Sequence, residues 1–468
     1  MRVLVILIVN ALLCVSGIAK EYDVREFGAL ADGTTVNTQA IQAAIDACHE
    51  GGGGRVRIEG GTYLSGTILL KDNVILHVEE GAKLMSSRNP TDFVSIDPFI
   101  DATGQYRGQC LVGAMDVKNI GITGKGTIDG QGVLFTPANI KKTLKELGLD
   151  PEMYSKPMAV SDLPYVNKNI RKSNRPFLVR LVRAKNVIVK DITLRQPAAW
   201  TLHFYQCSNF VVDGVTIRSH ANKNNDGIDI DSSTDGVIQN CDIDSDDDAV
   251  CFKATSPKPT RNIVVQNCRL SSGWGAVKFG TESMGDFRDI VVQDCHIHNT
   301  RGGGIKLLSV DGANASNIVL QNLTMENVDM PLFMRLGERR LVYRDAGQQP
   351  VGSIRNVVIQ NIKATARSLE QSRVVPPAGI FITGTPNHKI ENVLLENIHI
   401  TLPGGGTEAD AQVVVPENET EYPEYTKLGQ VPAYGMFARH VRGLTTKSVT
   451  FETTAPDARP EVVKVDVE

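Results

Sequence analysis

The chain is poor in aromatic side chains, which make up 6% of its 468 residues and include only two tryptophans. That scarcity argues against helices packed through bulky rings, whereas 42 glycines suit a fold with many tight turns. No excess of positive charge is present either. A formal net charge of −4 excludes the basic footprint of a nucleic-acid binder, so an acidic partner must be met by a local basic patch. Past residue 20 no apolar run is long enough to cross a bilayer. Seven cysteines remain beyond Cys14, an odd number that does not by itself suggest a disulfide framework.

What the N-terminus does hold is "MRVLVILIVNALLCVSGIAK": one early positive charge, a short apolar run broken by Asn10, and the small residues Gly17 and Ala19. This is the layout of a secretory leader over residues 1–19, so export to the periplasm, cell surface or medium is the expectation.

From residue 118 onward one phrase recurs, as in "KNVIVKDITL" (185–194), "SNFVVDGVTI" (208–217), "RNIVVQNCRL" (261–270), "RDIVVQDCHI" (288–297) and "ENVLLENIHI" (391–400). Each copy reads as a short β-branched strand, an Asn or Asp turn and a second short strand. Repeats of this length mean a solenoid, in which alternation turns one side of every strand into a shared apolar core. Cys241, Cys268 and Cys295 share one slot, 27 residues apart each time. An internal ladder of small buried side chains is the favoured reading over a metal or redox site. Residues 37–50, "NTQAIQAAIDACHE", read as an amphipathic helix capping the open end. Insertions are expected near 133–176, with a helical run in "PANIKKTLKELGL", and near 403–435. No linker divides residues 20–468, which read as one all-β catalytic unit.

Chemistry concentrates where the coils align on their inward apolar pairs: Ile228/Ile230, Val250/Phe252, Val277/Phe279 and Ile305/Leu307. Asp226 and Asp248 then hold equivalent places, 22 residues and one coil apart. That alignment sets Asp226 beside the pair Asp247 and Asp248. Carboxylates so close cannot all ionise cheaply, and at least one keeps its proton. Acid/base hydrolysis fits this condition, while a calcium site and a solvated acidic turn stay open as alternatives. An EF-hand is excluded, because its glycine and terminal glutamate are missing. Lys253, Lys278 and Lys306 have outward parity near the cluster and would suit a substrate carrying carboxylates, the alternative being solvation or salt bridges to the aspartates. Trp274, also outward, would stack on a sugar ring or else pack into the core. His203 in "WTLHF" faces outward one coil earlier.

At these residues the chain resembles the polygalacturonase family, glycoside hydrolase family 28, a group of right-handed parallel β-helices. The likeness runs from "YDVREFGALADG" to the last strand. Its most specific part is Asn224 and Asp226 of "NND" paired, one coil later, with Asp247 and Asp248 of "DDD". The resemblance implies a right-handed parallel β-helix and inverting hydrolysis of galacturonic-acid-containing pectic polysaccharide, without cofactor or metal. Asp247 would be the general acid, Asp226 and Asp248 would hold the water, and Asn224 would join the substrate-binding set. Two departures stand out. "GWG" replaces the family's Gly-His-Gly, and "GIK" keeps only Lys306 of its Arg-x-Lys. A relative acting on rhamnogalacturonan or a pectin side chain is therefore one alternative, and a calcium-dependent pectate lyase another.

Overall fold

A computed structural model describes residues 20–154, 175–344 and 346–468. The leader expected over residues 1–19, and residues 155–174 of the first insertion, lie outside the described residues. Within them the chain winds as the expected parallel β-helix. Each middle coil adds one short strand to each of three parallel faces, as in Ile228–Asp231, Thr234–Gln239 and Asp242–Ser245. The next coil stacks in register, with Ile228 opposite Val250, Gly236 opposite Ile263 and Ile243 opposite Leu270. From residue 287 the second and third strands fuse into one bent strand, Phe287–His298. Antiparallel pairing joins Ser95–Ile100 to Tyr106–Met115.

The recurrent Asn and Asp residues explain how the coil turns. Asn209, Asp235, Asn262, Asp289 and Asn317 occupy one corner, each with a left-handed φ between 55° and 62°. Their short polar side chains tolerate that conformation and also bond one another along the axis. Asn209 donates to Asn186 at 2.8 Å, Asn262 to Asp235 at 2.6 Å and Asn317 to Asp289 at 2.9 Å. A parallel ladder links Gln239, Gln266, Gln293 and Gln321 at 2.9–3.1 Å. The three repeat-slot cysteines are free and buried, each thiol donating to a carbonyl two residues earlier.

On the second-strand face the apolar stack changes size sharply at Phe210. Phe210, stacked on Phe204 at 4.5 Å, sits opposite Gly236, where the following coil has Ile263. A Cβ at Gly236 would lie 2.1 Å from the Phe210 ring, so the glycine makes room for the aromatic.

Helix α1, Thr38–Glu50, closes the N-terminal end, burying Ile41, Ala44, Ile45 and Cys48 at helical spacing. In the first insertion, α2 (Pro137–Glu146) buries Ile140 and Leu144 in the main core. Two segments cover the outer surface of the first-strand face. The hairpin of residues 95–115 lays Ile96 and Phe99 against Phe177, Trp200 and Tyr205. Residues 403–435, irregular apart from short turns and α3 (Tyr425–Leu428), pack Val415, Tyr425 and Leu428 on Leu308, Phe333 and Phe381.

Substituting Gly236→Val should overpack the Phe210 position and destabilise the fold by about 1–3 kcal/mol. Equilibrium denaturant unfolding would show it, and Phe210→Leu in the same chain should restore part of the loss.

Candidate active site

The first-strand face presents its outward side chains in columns fixed by strand register. On it run β1 (Phe177–Val182), β2 (Leu202–Tyr205), β3 (Ile228–Asp231), β4 (Val250–Ala254), β5 (Gly275–Ser283) and β6 (Gly303–Ser309). One column reads His203, Asp229, Cys251, Lys278, Lys306. A second, two residues further along, reads Tyr205, Asp231, Lys253. Lys253 therefore does not share a column with Lys278 and Lys306. Past the pair Phe252–Phe279 the register shifts, and Glu282 of β5 comes within 3.3 Å of the Lys253 ammonium.

Asp226 and Asp248 lie just before β3 and β4, in equivalent positions. Their backbones share one ladder: Gly227 N–H donates to the Asp248 carbonyl at 2.8 Å, and Thr201 N–H to that of Asp226 at 2.9 Å. One oxygen from each of Asp226, Asp247 and Asp248 lies within 4.8 Å of the other two. Asp226 and Asp248 are buried, at 2% and 1% exposure, whereas Asp247 is half-buried. Asp247 is thus the member of the trio that an incoming molecule can reach. Hydroxyls from two coils fix it, since Ser245 and Ser272 both donate to its carbonyl at 2.6 Å. Asn224, half-buried, directs its amide at Asp247 Oδ2 from 3.5 Å and accepts from Gln105 and Arg175.

Charge in the cluster is uneven. Burial, reinforced by Asp226 and Asp248, pushes the Asp247 carboxyl well above the usual carboxylate range. Burial and then Asp229 push Asp226 the same way, against the pull of Lys253. Asp248 accepts from Lys278 Nζ at 2.8 Å and from Gly275 N–H at 3.1 Å. The trio therefore sets two carboxyls raised above their usual range beside a third that is salt-bridged to an ammonium, an arrangement suited to acid/base hydrolysis. A hard cation could use the same oxygens. Lys253, 3.4 Å from Asp226, and Lys278 already supply positive charge there, so these residues fit internal ion pairs rather than a calcium cage.

The remaining residues singled out by sequence keep their outward parity but are covered. Lys253 is 4% exposed and meets Asp226, Asp229 and Glu282 within 3.6 Å. Lys278 is 3% exposed and Lys306 fully buried, paired with Glu424 at 2.5 Å. Neither offers a free ammonium on an open face, because residues 403–435 lie over them. Trp274 is half-buried rather than bare: its indole N–H donates to Glu424 at 2.9 Å, and the Arg373 guanidinium lies 4.0 Å from its ring centre. His203 is fully buried beneath the hairpin, beside Phe177 and Trp200. Burial pushes it down to about 4. Arg180 donates to its Nδ1 at 2.6 Å, so the neutral ring carries its proton on Nε2, facing Asp231 at 3.4 Å. It is a buried structural link and does not face solvent.

Several residues of this face escaped the sequence reading. Asp229 occupies the outward position between Ile228 and Ile230, and burial pushes it up to about 8. Its parity was visible, but its contact with Asp226 and Lys253 was not. Glu282 needs the register shift in β5, and Trp200, 4.5 Å from the Lys253 ammonium, needs the hairpin. Glu424 comes from an irregular segment with no period to place it. The other aspartates of "DIDSDDDAV" are peripheral: Asp242 pairs with Arg218, Asp244 with His220, and exposed Asp246 with Arg301.

Comparison with known proteins agrees with this geometry. Residues 94–420 match Glycosyl hydrolases family 28. An exo-poly-alpha-D-galacturonosidase of Dickeya chrysanthemi is 29% identical over 259 residues, covering 51% of this chain and 43% of the relative. A polygalacturonase of Ralstonia solanacearum is 28% identical over 396 residues, 79% of this chain and 68% of the relative. The chain thus spans less than half the length of the first of these relatives. Among solved structures, an exopolygalacturonase from Thermotoga maritima superposes with a TM-score of 0.68 at 22% identity, over 92% of each chain, a likeness of fold. Motif, fold and match coincide over the coils that carry Asp226, Asp247 and Asp248, and the chain belongs to glycosyl hydrolase family 28.

Proposed function

We propose that this chain hydrolyses galacturonic-acid-containing pectic polysaccharide, with Asp247 as general acid and Asp226 and Asp248 holding the attacking water, so that the anomeric configuration inverts. The observation that carries the reading is the trio itself. Three carboxyls meet within 4.8 Å, and the accessible one, Asp247, is held above the usual carboxylate range by burial and by its two neighbours. The family assignment and the polygalacturonase relatives support the pectic substrate. The calcium-dependent lyase weighed on the sequence is set aside by membership of a hydrolase family. Export belongs to the same proposal and rests on the apolar leader of residues 1–19.

In this reading Asp247 gives its proton to the glycosidic oxygen as the bond to the anomeric carbon lengthens. Asp226 or Asp248 takes a proton from the water that attacks the opposite face. Asn224 restrains the Asp247 carboxyl, and Lys278 holds the Asp248 carboxyl in place. The nearest oxygens are closer than the about 6.5–9.5 Å usual for inverting carboxyl pairs. Stereochemistry is therefore the measurement that separates an attacking water from an attacking carboxylate. Proton NMR of the first product from an α-linked oligogalacturonate should show the β anomer, and an initial α anomer would exclude the single displacement.

Replacing Asp247→Asn should lower kcat by about 10²–10⁴-fold with little change in KM, assayed as reducing ends released from polygalacturonate and from rhamnogalacturonan. Wild-type turnover by that variant would remove Asp247 from the mechanism. The pH profile offers an independent check. Asp229 helps hold Asp226 up, so Asp229→Asn should lower the pKa of the base. The acidic limb of kcat/KM should then move to lower pH, because the base stays ionised further into acid.

A further inference from the structure

The positive charge that would meet an acidic sugar on the C-terminal side of Asp247 is cancelled from within the chain. Lys306 is fully buried and its ammonium lies 2.5 Å from Glu424 Oε2. Lys278 pairs with Asp248 at 2.8 Å and has Glu424 Oε1 at 3.9 Å. Glu424, itself 2% exposed, is oriented by the Trp274 indole N–H at 2.9 Å. Its neighbour Tyr425 is fully buried in the apolar contact that fastens residues 403–435 to this face. The carboxylate is therefore part of the folded core of the segment and not a mobile surface group. It makes the contacts with two ammonium groups and an indole N–H that a uronate carboxylate would make.

We propose that Glu424 is a specificity-determining residue, filling the carboxylate position beside Lys278 and Lys306 so that the sugar seated over Trp274 is uncharged. The inference rests on the hydrolase reading above and narrows its substrate. The chain cleaved carries galacturonate, but the sugar over Trp274 is a neutral or esterified one. A second carboxylate brought to this place would meet Glu424 in a desolvated setting, where like charges repel strongly. Arg373, exposed and stacked on Trp274, is a cation among the described residues that still favours an acidic sugar.

The test compares kcat/KM on an oligosaccharide alternating rhamnose with galacturonate and on an oligogalacturonate of equal length. Wild type should prefer the alternating chain by about tenfold or more, and Glu424→Gln, which frees Lys278 and Lys306, should move the ratio toward oligogalacturonate by a similar factor. Glu424→Asp keeps the charge and should keep the preference. A wild-type preference for oligogalacturonate overturns the proposal without any variant, and its loss in Arg373→Ala would assign charge recognition to that guanidinium. An unchanged ratio in folded Glu424→Gln also overturns it. If wild type cleaves neither chain, the hydrolase reading fails instead. Calorimetric binding of the same two oligosaccharides to Asp247→Asn then decides the charge preference on its own, equal or reversed affinities overturning it.

Discussion

Strands in a parallel sheet lie about 4.8 Å apart, closer than two like charges tolerate when water is excluded. Every ionisable side chain on the outward columns of this β-helix therefore answers to the coil above and the coil below. Asp226 is matched by Lys253, Asp248 by Lys278, Lys306 by Glu424 and Asp311 by Arg339. Where carboxyls outnumber cations, burial and like charge raise them above their usual range, as at Asp226, Asp229 and Asp247. The reactive trio is the place where strand spacing leaves more carboxyls than cations.

That constraint separates what could be seen in the sequence from what could not. Apolar alternation and the Asn and Asp corners are local properties, repeated in each coil, so the solenoid, its inward pairs and the meeting of Asp226 with Asp247 and Asp248 were legible. The covering segments are not periodic. Nothing in "ENETEYPEYTKL" announces that Glu424 will reach Lys306, and nothing near residue 99 announces that Phe99 will cover His203. Parity correctly turned Lys253, Lys278, Lys306 and His203 away from the core, but solvent exposure was decided by those loops. Lys253 shares that face with Lys278 and Lys306 but stands in a different column, because same parity is not same column.

The two covering segments also divide the face. On the N-terminal side the hairpin buries His203 and Arg180 and reaches the ion pairs of Lys253 through Ala102, whose N–H donates to Glu282 at 2.9 Å. On the C-terminal side residues 403–435 deliver Glu424 and shield Lys306. Asp247, Asn224 and Trp274 remain half-buried between them. The β-helix supplies the spacing of the reactive groups, and aperiodic chain decides which charges a ligand can feel. Substrate preference in such a fold can therefore change without moving the aspartates.

The match between Phe210 and Gly236 has a consequence for how the chain finds its native winding. Successive coils resemble one another so closely that pairing a strand with the wrong neighbour, one whole turn away, would keep most backbone bonds and the amide ladders. That error would set Phe210 opposite Ile263 instead of Gly236, driving an aromatic ring into a branched side chain. The Phe210 ring and the Cβ missing at Gly236 thus act as an index mark in the column that continues as Ile263, Ile290 and Ile318, penalising miswound chains.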